Sequence, residues 1–546
     1  MKFPELFENL LRSRGITPLL EEEFLKPDYK KLHDPLLLPD MEIARDRVIE
    51  AMDKNEHIFI FSDYDADGIP GAVVASDFFK RAKYENVSFY IPHRHDEGFG
   101  LNIQAIDEAK ERGAKLIITI DCGTADLEEA KYAFKNKIDL IVTDHHEQKE
   151  VLPKAVAVVN PKRKDSTYPF KDLCGAGVAY KLVQAILSKK DFGIKEGMEK
   201  WSLDMVGIAT LSDMVPLMGE NRILAYYGLE VLRKSSRPGL ASLFKRLSMN
   251  QSYINEDDIA FMITPRINAA SRMGKPEDAF NLLRTSDMRE AEILAEHLES
   301  INNERKGVVA SLVKDAKKHL SQRDELKSVI VIGNPEWRPS LLGLVANSLV
   351  EEYQRPAFVW GRDGDGIIKG SCRSYGNIDL CELMNKAGDS FIEYGGHSQA
   401  GGFSVELKNI TELEESLHDA LENTPEIEEL EEMIKGIEIE LDWIGEDLWK
   451  MISQLAPFGA GNPKPVLSIQ DAEIKSVKNF GKTGDHLEII FSSPKKVIKA
   501  ISFFSNFDTF GVELAPLAKV NVDAHLEKSY FRNRPEIRLR IVDIKK

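Results

Sequence analysis

The chain has 546 residues, 43% hydrophobic and 29% charged, a balance typical of folded globular domains. Its 89 acidic and 72 basic residues give a net charge of −17, which at first sight argues against a nucleic-acid partner, because Lys and Arg bind phosphate. Four cysteines without a CxxC pair argue against a zinc ribbon or a disulfide framework. The N-terminus lacks the apolar core of a signal peptide and no apolar run approaches about 18 residues, so we expect a cytoplasmic protein without a membrane span.

Short apolar segments alternate with helical ones from residue 56 to residue 159. This alternation predicts βαβ units around a buried parallel sheet, in which ligands bind outside the carboxyl ends of the strands. A helix is expected at 71–81. The predicted strands are 56–61, 87–91, 115–120, 139–143 and 155–159.

Acidic and histidine residues follow three of these strands. The first cluster, DYDADG, places Asp63, Asp65 and Asp67 at alternate positions, and three carboxylates so close repel one another unless a cation lies between them. Carboxylate oxygens suit Mg²⁺ and Mn²⁺. A solvated turn is the alternative interpretation. An EF-hand loop is excluded because Val74 stands where that loop needs a glutamate.

The other clusters are Asp121 after the third strand, Asp144-His145-His146 after the fourth, and Asp213 in an apolar segment. Each alone has an ordinary structural alternative, as a helix cap or a loop histidine. Together they predict a site for two Mn²⁺ or Mg²⁺ ions that hydrolyses a phosphoester or phosphoanhydride. The histidines favour Mn²⁺, since Mg²⁺ prefers oxygen ligands.

Helical segments continue to about residue 320 and end in an amphipathic connector, after which a second α/β domain begins near Ser328. Its glycine cluster is interpreted as a turn in which Gly395, Gly396 and His397 offer backbone N–H groups to an anion, with Arg373 adding a bidentate contact. The alternative is a tight turn packed on a helix.

Two further segments carry polar side chains. PRINAASRM at 265–273 presents Arg266, Asn268 and Arg272, which either reach a substrate or tie two domains together. After Pro457, alternating apolar and polar runs predict a small β-barrel. Arginines at 532, 534, 538 and 540 alternate, which on a strand places them on one face.

The charge is unevenly distributed. Residues 406–449 hold 16 acidic and 2 basic residues, whereas 450–546 hold 16 basic and 10 acidic ones. The net acidity therefore marks one acidic helical or linker segment and does not exclude nucleic acid.

The ordered motifs DYDADG, DCG, DHH and GIATLSDMVPL resemble those of the DHH phosphoesterase superfamily, and GGH resembles the signature of the DHH-associated domain. PRINAASRM and FGAGNPKP (458–465) further resemble segments of the RecJ family of single-strand-specific 5′→3′ exonucleases. The resemblance implies the following expected domains: an N-terminal cap at 1–44, a DHH catalytic domain at 45–285, a connector helix at 286–323, a DHH-associated domain at 324–410, an acidic linker at 411–450 and an OB-fold at 451–546.

The resemblance also assigns roles. Expected metal ligands are Asp65, Asp67, Asp121, His145 and Asp213. Expected catalytic residues near the metals are Asp63, Asp144 and His146, with Arg373 and His397 on the scissile phosphate. Expected substrate contacts are Gly395, Gly396, Arg266, Asn268, Arg272, Arg338, Arg532 and Arg534.

The implied activity is metal-dependent hydrolysis of single-stranded DNA to 5′-mononucleotides, in DNA repair and recombination. The chain is expected to be a monomer; a single-strand-binding protein and a helicase remain open as partners. A nanoRNase or cyclic-dinucleotide phosphodiesterase, a type II pyrophosphatase and a non-catalytic replication scaffold are the alternatives. Ser271, Arg338 and Ser340 depart from the family pattern and leave substrate contacts in question rather than the metal site.

Overall fold

The computed structural model describes residues 3–94, 97–362, 367–422, 436–481, 484–530 and 534–546. The first domain contains the predicted five-stranded parallel sheet, in the order β2-β1-β3-β4-β5. Its central strands are buried on both faces, which explains why they read as unbroken apolar runs. The strands are β1 (Ile58–Ser62), β2 (Val87–Tyr90), β3 (Leu116–Ile120), β4 (Asp139–Thr143) and β5 (Ala157–Val159).

Helices cover both faces of this sheet, and the larger of its two apolar cores also contains the helices that follow β5. The helices up to the end of this domain are α1 (Pro4–Arg12), α2 (Pro18–Leu25), α3 (Met41–Asp53), α4 (Gly68–Arg81), α5 (Ile103–Glu111), α6 (Leu127–Lys135), α7 (Gly175–Lys189), α8 (Leu203–Ser212), α9 (Gly219–Leu232), α10 (Pro238–Arg246), α11 (Glu256–Asp258), α12 (Thr264–Met273) and α13 (Pro276–Arg284).

A single connector helix, α14 (Met288–Leu320), leads to the second domain, as predicted. Asp287 caps its first turn, accepting hydrogen bonds from the amides of Arg289 and Glu290. The second domain is a mixed sheet in the order β6-β7-β8-β10-β9. Its elements are β6 (Ile330–Gly333), α15 (Pro339–Tyr353), β7 (Ala357–Arg362), β8 (Ile368–Arg373), α16 (Leu380–Lys386), β9 (Glu393–His397), β10 (Ala400–Val405) and α17 (Leu413–Glu422).

Two features of the second domain differ from the prediction. The GGH segment is not a turn: Gly395, Gly396 and His397 lie on β9, an edge strand paired with β10. The helix α17 belongs to the packed domain rather than to a solvated linker, because Leu413 and Leu417 are fully buried in its core. The acidic stretch 423–435 lies outside the described residues.

The C-terminal domain is the predicted small barrel. Its sheet runs β11-β12-β13-β14-β16-β15, and pairing of β12 with β15 closes it. The strand β12 was not among the sequence-predicted runs. The elements are β11 (Ile437–Glu438), α18 (Glu446–Ser453), β12 (Leu467–Phe480), β13 (His486–Ser492), β14 (Val497–Phe503), β15 (Lys519–Ser529) and β16 (Glu536–Lys545).

The first 25 residues contribute to the apolar core of the barrel, and Phe24 O also accepts a hydrogen bond from Arg222 Nε of the first domain at 2.7 Å. Phe7 and Leu10 of α1 and Phe24 of α2 are buried in the apolar core of the barrel, and the Phe3 ring lies 5.2 Å from that of Trp443. The N-terminal segment therefore joins two distant parts of the chain. In the portion of the chain described above, no helix is both long and apolar enough to cross a membrane.

Candidate metal centre and phosphate-binding cleft

Asp63, Asp121 and Asp144 occupy equivalent positions, each directly after a strand of the parallel sheet. Their amides continue the sheet's hydrogen bonding: Asp63 donates to Ile120 O (3.1 Å), Asp121 to Thr143 O (2.9 Å) and Asp144 to Val159 O (3.1 Å). Neighbouring parallel strands lie about 4.8 Å apart, so these three side chains meet at one edge of the sheet. The predicted convergence follows from this register.

The turn after β1 supplies two more carboxylates. Asp65 Oδ1 accepts the amides of Asp67 (2.7 Å) and Gly68 (3.1 Å). Asp67 points at the N-terminus of α7, where the amides of Gly175 and Ala176 donate to its two oxygens at 2.6 and 2.8 Å. A Cβ at position 175 would lie only 2.4 Å from Asp121 Oδ1, so glycine is required there.

His145 lies at the centre of the cluster. Its Nε2 is 3.1 Å from Asp121 Oδ1 and 3.6 Å from both Asp67 Oδ2 and Asp213 Oδ2. Three overlapping sets of side chains have ligand atoms within 4.8 Å of one another: Asp63, Asp65 and Asp121; Asp67, His145 and Asp213; and Asp121, His145 and His146. The sequence-predicted ligands and their neighbours are thus brought together.

The donor set fits divalent cations. Asp63 Oδ1, Asp121 Oδ1 and both ring nitrogens of His145 are buried without a partner in hydrogen-bonding geometry among the described residues. Burial, and then the charges of neighbouring carboxylates, raise the pKa of Asp67 to about 6 and of Asp213 to about 9. A cation bound among these carboxylates would offset the repulsion that raises their pKa values. Overlapping ligand sets that share Asp121 and His145 leave room for two ions.

The two histidines differ in their surroundings. Burial, followed by the charge of His146, lowers the pKa of His145 to about 3, so this imidazole is neutral and able to bind a metal. Burial opposes a charge on His146 as well, but its hydrogen bond to Asp144 raises the pKa of His146 to about 9.

Asp144 is saturated by hydrogen bonds. Its Oδ1 lies 2.8 Å from His146 Nδ1 and accepts the amides of His145 and His146, while its Oδ2 accepts the amide of Thr124. These contacts hold the pKa of Asp144 well below its usual range despite burial. Asp144 therefore orients His146 in the way that an outer carboxylate orients a metal-site histidine.

The second domain contributes cations opposite the carboxylates. Arg373 is the last residue of β8, and its Nη1 donates to Cys372 O (2.7 Å) and Ser371 Oγ (3.3 Å). Desolvation lowers the pKa of Arg373, and no carboxylate pairs with it among the described residues. His397 is exposed on β9. Partial desolvation and the nearby charges of Lys162 and His146 lower the pKa of His397, which places this strand near the metal cluster.

Four arginines from separate parts of the chain lie near one another. Burial lowers the pKa of Arg272 to about 9, and the charges of Arg94, Arg305 and Arg373 act in the same direction, while Asp65 opposes them. The Arg94 guanidinium also lies 4.9 Å from the centroid of the Tyr64 ring, within the metal-binding turn. A cationic cluster thus faces the acidic cluster.

The PRINAASRM segment lies on α12 and contacts both the turn after β1 and the second domain. Asn268 Oδ1 accepts the Ala66 amide (3.0 Å) in the metal-binding turn, and Arg272 donates to Ser340 O (2.5 Å) in the second domain. Arg266 is buried and pairs with Glu299 of α14 at 2.8 Å, so its guanidinium faces the connector. Ser271, one of the departures, is buried and donates to Asn268 O.

The remaining predicted substrate contacts are exposed where the structure describes them. Arg338 is exposed at the start of α15, and Arg534 is exposed before β16 begins. Arg532 lies outside the described residues. Gly395 and Gly396 are exposed on β9 beside His397.

Sequence reasoning missed Arg94, Phe99 and Asn160. Arg94 and Phe99 belong to a polar, glycine-containing loop after β2. Ligands bind outside the carboxyl ends of parallel strands, and this reasoning, which selected Asp63, applies equally to the loop after β2. The Phe99 ring lies 5.3 Å from that of His146. Asn160, directly after β5, donates to His146 O (2.8 Å) and Thr124 Oγ1 (2.9 Å).

Comparison with protein families matches three parts of the chain. Residues 57–210 match the DHH family, N-terminal domain; residues 326–423 match the DHHA1 domain; and residues 437–543 match the RecJ OB domain.

Individual proteins are similar over nearly the whole chain. The single-stranded-DNA-specific exonuclease RecJ of Bacillus subtilis (strain 168) is 34% identical, over 98% of this chain and 67% of that protein. The crystal structure of Thermus thermophilus RecJ in complex with Mn²⁺ is similar at a TM-score of 0.80 and 27% identity, over 99% of this chain and 76% of that one. The Mg²⁺ complex of the same protein is similar at a TM-score of 0.75 and 25% identity, over 99% of this chain and 74% of that one.

Proposed function

This chain belongs to the RecJ family, and from that premise we propose that it is a metal-dependent 5′→3′ exonuclease that hydrolyses single-stranded DNA to 5′-mononucleotides. One observation carries the proposal: a buried cluster of carboxylates and histidines in the first domain faces a cluster of arginines. Such an arrangement fits a phosphodiester between metal ions and guanidinium groups.

The ligands proposed for two cations, Mn²⁺ or Mg²⁺, are Asp65, Asp67, Asp121, His145 and Asp213, with Asp63 beside them. Bound there, the ions would offset the carboxylate charges, lower the pKa of a water molecule and neutralise charge on the scissile phosphate. The imidazole of His145 favours Mn²⁺. The Thermus relative was crystallised with each of these two ions.

The chain's own cations orient the phosphates. Arg373 presents a guanidinium that no carboxylate neutralises among the described residues, and its planar fork can bind two phosphate oxygens at once. Arg272 and Arg94 add positive charge next to Asp65, and His397 lies on the same side as Arg373. These groups align the scissile bond with the metal cluster.

Asp144 and His146 act as a pair. A carboxylate can only accept a hydrogen bond, so the 2.8 Å contact assigns a proton to His146 Nδ1 and leaves Nε2 as the nitrogen available to the reaction. The residue is fixed further by Asn160 on its carbonyl oxygen. His146 is therefore positioned to hold or transfer a proton beside the phosphate.

The barrel domain is proposed to guide the strand. Phe504 is 83% exposed, and the Arg540 guanidinium lies 5.7 Å from the Phe503 ring and 5.6 Å from the Phe261 ring of the first domain. Aromatic and arginine surfaces of this kind stack on unpaired bases without sequence preference. Arg538, which was predicted to share this face, pairs with Glu527 instead.

Such a nuclease would serve DNA repair and recombination, in which single-stranded 5′ ends arise. Interaction with a single-strand-binding protein, interaction with a helicase and the monomeric state of the chain remain predictions.

The test is digestion of a 5′-labelled single-stranded DNA oligonucleotide in Mn²⁺ and in EDTA. Three further substrates are digested separately for comparison: the same strand annealed to its complement, the RNA strand of the same sequence, and a dinucleotide. We expect labelled mononucleotide in Mn²⁺ and none in EDTA, with the single strand digested faster than the annealed strand, the RNA equivalent or the dinucleotide. Preference for the dinucleotide would favour a nanoRNase or cyclic-dinucleotide phosphodiesterase. Mn²⁺ binding without hydrolysis of any of them would favour a non-catalytic scaffold.

A further inference from the structure

The loop at 456–465 contains the FGAGNPKP segment, to which the proposed function assigns no role. We call it the docking loop. It precedes β12 of the barrel and contacts the loop that follows Asp213 in the first domain: the Leu217 amide donates to Ala460 O at 2.8 Å. Leu217, buried to 2% exposure, is only four residues from Asp213. A segment attached to the barrel thus contacts the loop that follows a proposed metal ligand.

The Asp213 carboxylate depends on its backbone for its position. Among the described residues no hydrogen bond reaches this carboxylate, whereas two amides fix that of Asp67. Asp213 directly follows α8, and its amide donates to Ala209 O at 2.9 Å; Met214 then adopts the left-handed region at φ 56°. A non-glycine residue holds this conformation only if its surroundings enforce it.

The docking loop is itself rigidly held. Asn462 is fully buried and donates to Leu455 O and Pro457 O, both at 2.8 Å. Its Oδ1 accepts Arg14 Nε at 2.8 Å, from the N-terminal segment. From the first domain, Arg222 donates to Ala456 O at 2.9 Å. Support comes from three parts of the chain, so the loop forms a firm surface.

The contact between the two loops leaves no space. A Cβ at Gly459 would lie 2.8 Å from Leu217 Cδ1. Gly461 has φ +70°, and a Cβ there would lie 3.2 Å from Pro216 Cβ. Two glycines therefore allow the docking loop to press directly on residues 216–217.

We propose that the docking loop is a positioning element for Asp213, so that the metal site is completed only when the barrel is docked on the first domain. This inference rests on the proposed metal site. It assigns Gly459, Gly461 and Asn462 to the positioning of a ligand that they do not touch, and it couples the domain that guides the strand to the domain that hydrolyses it.

The experiment compares the full chain with Gly459→Ala by titration of Mn²⁺ in a calorimeter and by hydrogen exchange of residues 213–218 without metal. We expect Mn²⁺ affinity to fall about tenfold, the usual cost of removing support from a metal ligand, and exchange of the Leu217 amide to accelerate. The kcat should fall in parallel, with KM for single-stranded DNA unchanged. Unchanged Mn²⁺ affinity with faster exchange would overturn the proposal.

Two variants control the design. The first is Gly445→Ala. Gly445 precedes α18 in an extended conformation at φ 165°, and an added Cβ would meet open space, so this change should leave Mn²⁺ binding unaltered. The double variant Gly459→Ala/Leu217→Val removes the clashing methyl group and should recover most of the affinity; no recovery would contradict the mechanism.

If Gly459→Ala does not fold, Arg14→Ala replaces it, since that change loosens Asn462 and Pro463 from a distance. We expect a smaller loss of Mn²⁺ affinity, about threefold, and an unchanged affinity would again overturn the proposal. Failure of the unaltered chain to bind Mn²⁺ would reject the proposed function itself, which is a separate outcome.

Discussion

The two walls of the cleft are built differently. In the first domain, carboxylates follow buried parallel strands, and backbone amides fix Asp67 and Asp144 at distances of 2.6 to 3.1 Å. In the second domain, His397 lies on the exposed edge strand β9. Arg373 ends β8, which is separated from β9 by β10. Edge structure has fewer contacts to hold it than a buried sheet. The carboxylates of the first wall are thus held by more contacts than the exposed strand that carries His397.

The difference implies separable roles. Loss of a proposed metal ligand in the first wall should remove metal binding and hydrolysis together, whereas a change in the second wall should reduce hydrolysis and leave metal binding intact. Four substitutions, ordered by their expected effect, test this distinction.

The largest effect is expected from Asp121→Ala. Asp121 belongs to two of the three ligand sets, so its loss should disturb both ions. We expect hydrolysis to fall about a thousandfold, or about 4 kcal/mol, because metal ions contribute several kcal/mol to the transition state. Mn²⁺ titration and the rate of mononucleotide release measure the two effects. Asp53→Ala, which removes an exposed aspartate paired with Lys190, is the matched control. Hydrolysis that survives with one ion fewer would argue against a two-metal reaction.

Arg373→Lys tests the opposite wall. Lysine keeps the charge but loses the planar fork, so we expect kcat/KM to fall about thirtyfold, in line with about 2 kcal/mol for a charged hydrogen bond. Mn²⁺ affinity should not change. Arg289→Lys, at an exposed position on α14, is the control. A parallel loss of Mn²⁺ binding would show that the two walls are not separable.

Asp144→Asn tests a residue of the first wall that is not expected to bind metal. The amide retains the shape but weakens the hydrogen bond that orients His146, so we expect kcat to fall about tenfold. Mn²⁺ affinity should fall much less than in Asp121→Ala, since both carboxylate oxygens of Asp144 are already engaged by backbone amides and by His146. A large loss of Mn²⁺ affinity would instead make Asp144 a ligand.

The sequence predicts the first wall better than the second for a physical reason. Parallel strands deliver their following residues to one edge, so Asp63, Asp121 and Asp144 can be placed together from their positions alone. No comparable argument predicts the backbone conformation of the glycines at 395 and 396. Glycine is common both in turns and in strands approached closely by another backbone, and here a Cβ at Gly396 would meet Ala400 O at 2.3 Å across the hairpin.

Long-range contacts account for other differences. Nothing in the composition of the first 25 residues shows that Phe7 and Leu10 are buried against a barrel that begins more than 400 residues later. The pairing of Arg266 with Glu299 likewise depends on how α12 packs against α14. Arg94 also follows a strand of the parallel sheet, so the reasoning that selected Asp63 could have selected its loop as well.

The smallest expected effect, that of Phe504→Ala, extends the comparison beyond the cleft. Phe504 is 83% exposed on the barrel and also borders, with Arg305 and Lys306 of α14, a groove of about 710 Å³. Loss of one stacking ring should cost about 1 kcal/mol, so we expect KM for a long single strand to rise about fivefold while kcat stays constant. A dinucleotide, too short to reach the barrel, should be hydrolysed as before. Leu517→Ala, 78% exposed on the same domain, is the control, since an aliphatic side chain does not stack on bases. If Phe504→Ala lowers kcat rather than raising KM, the barrel acts on the reaction itself, and the separation between guiding the strand and cleaving it fails.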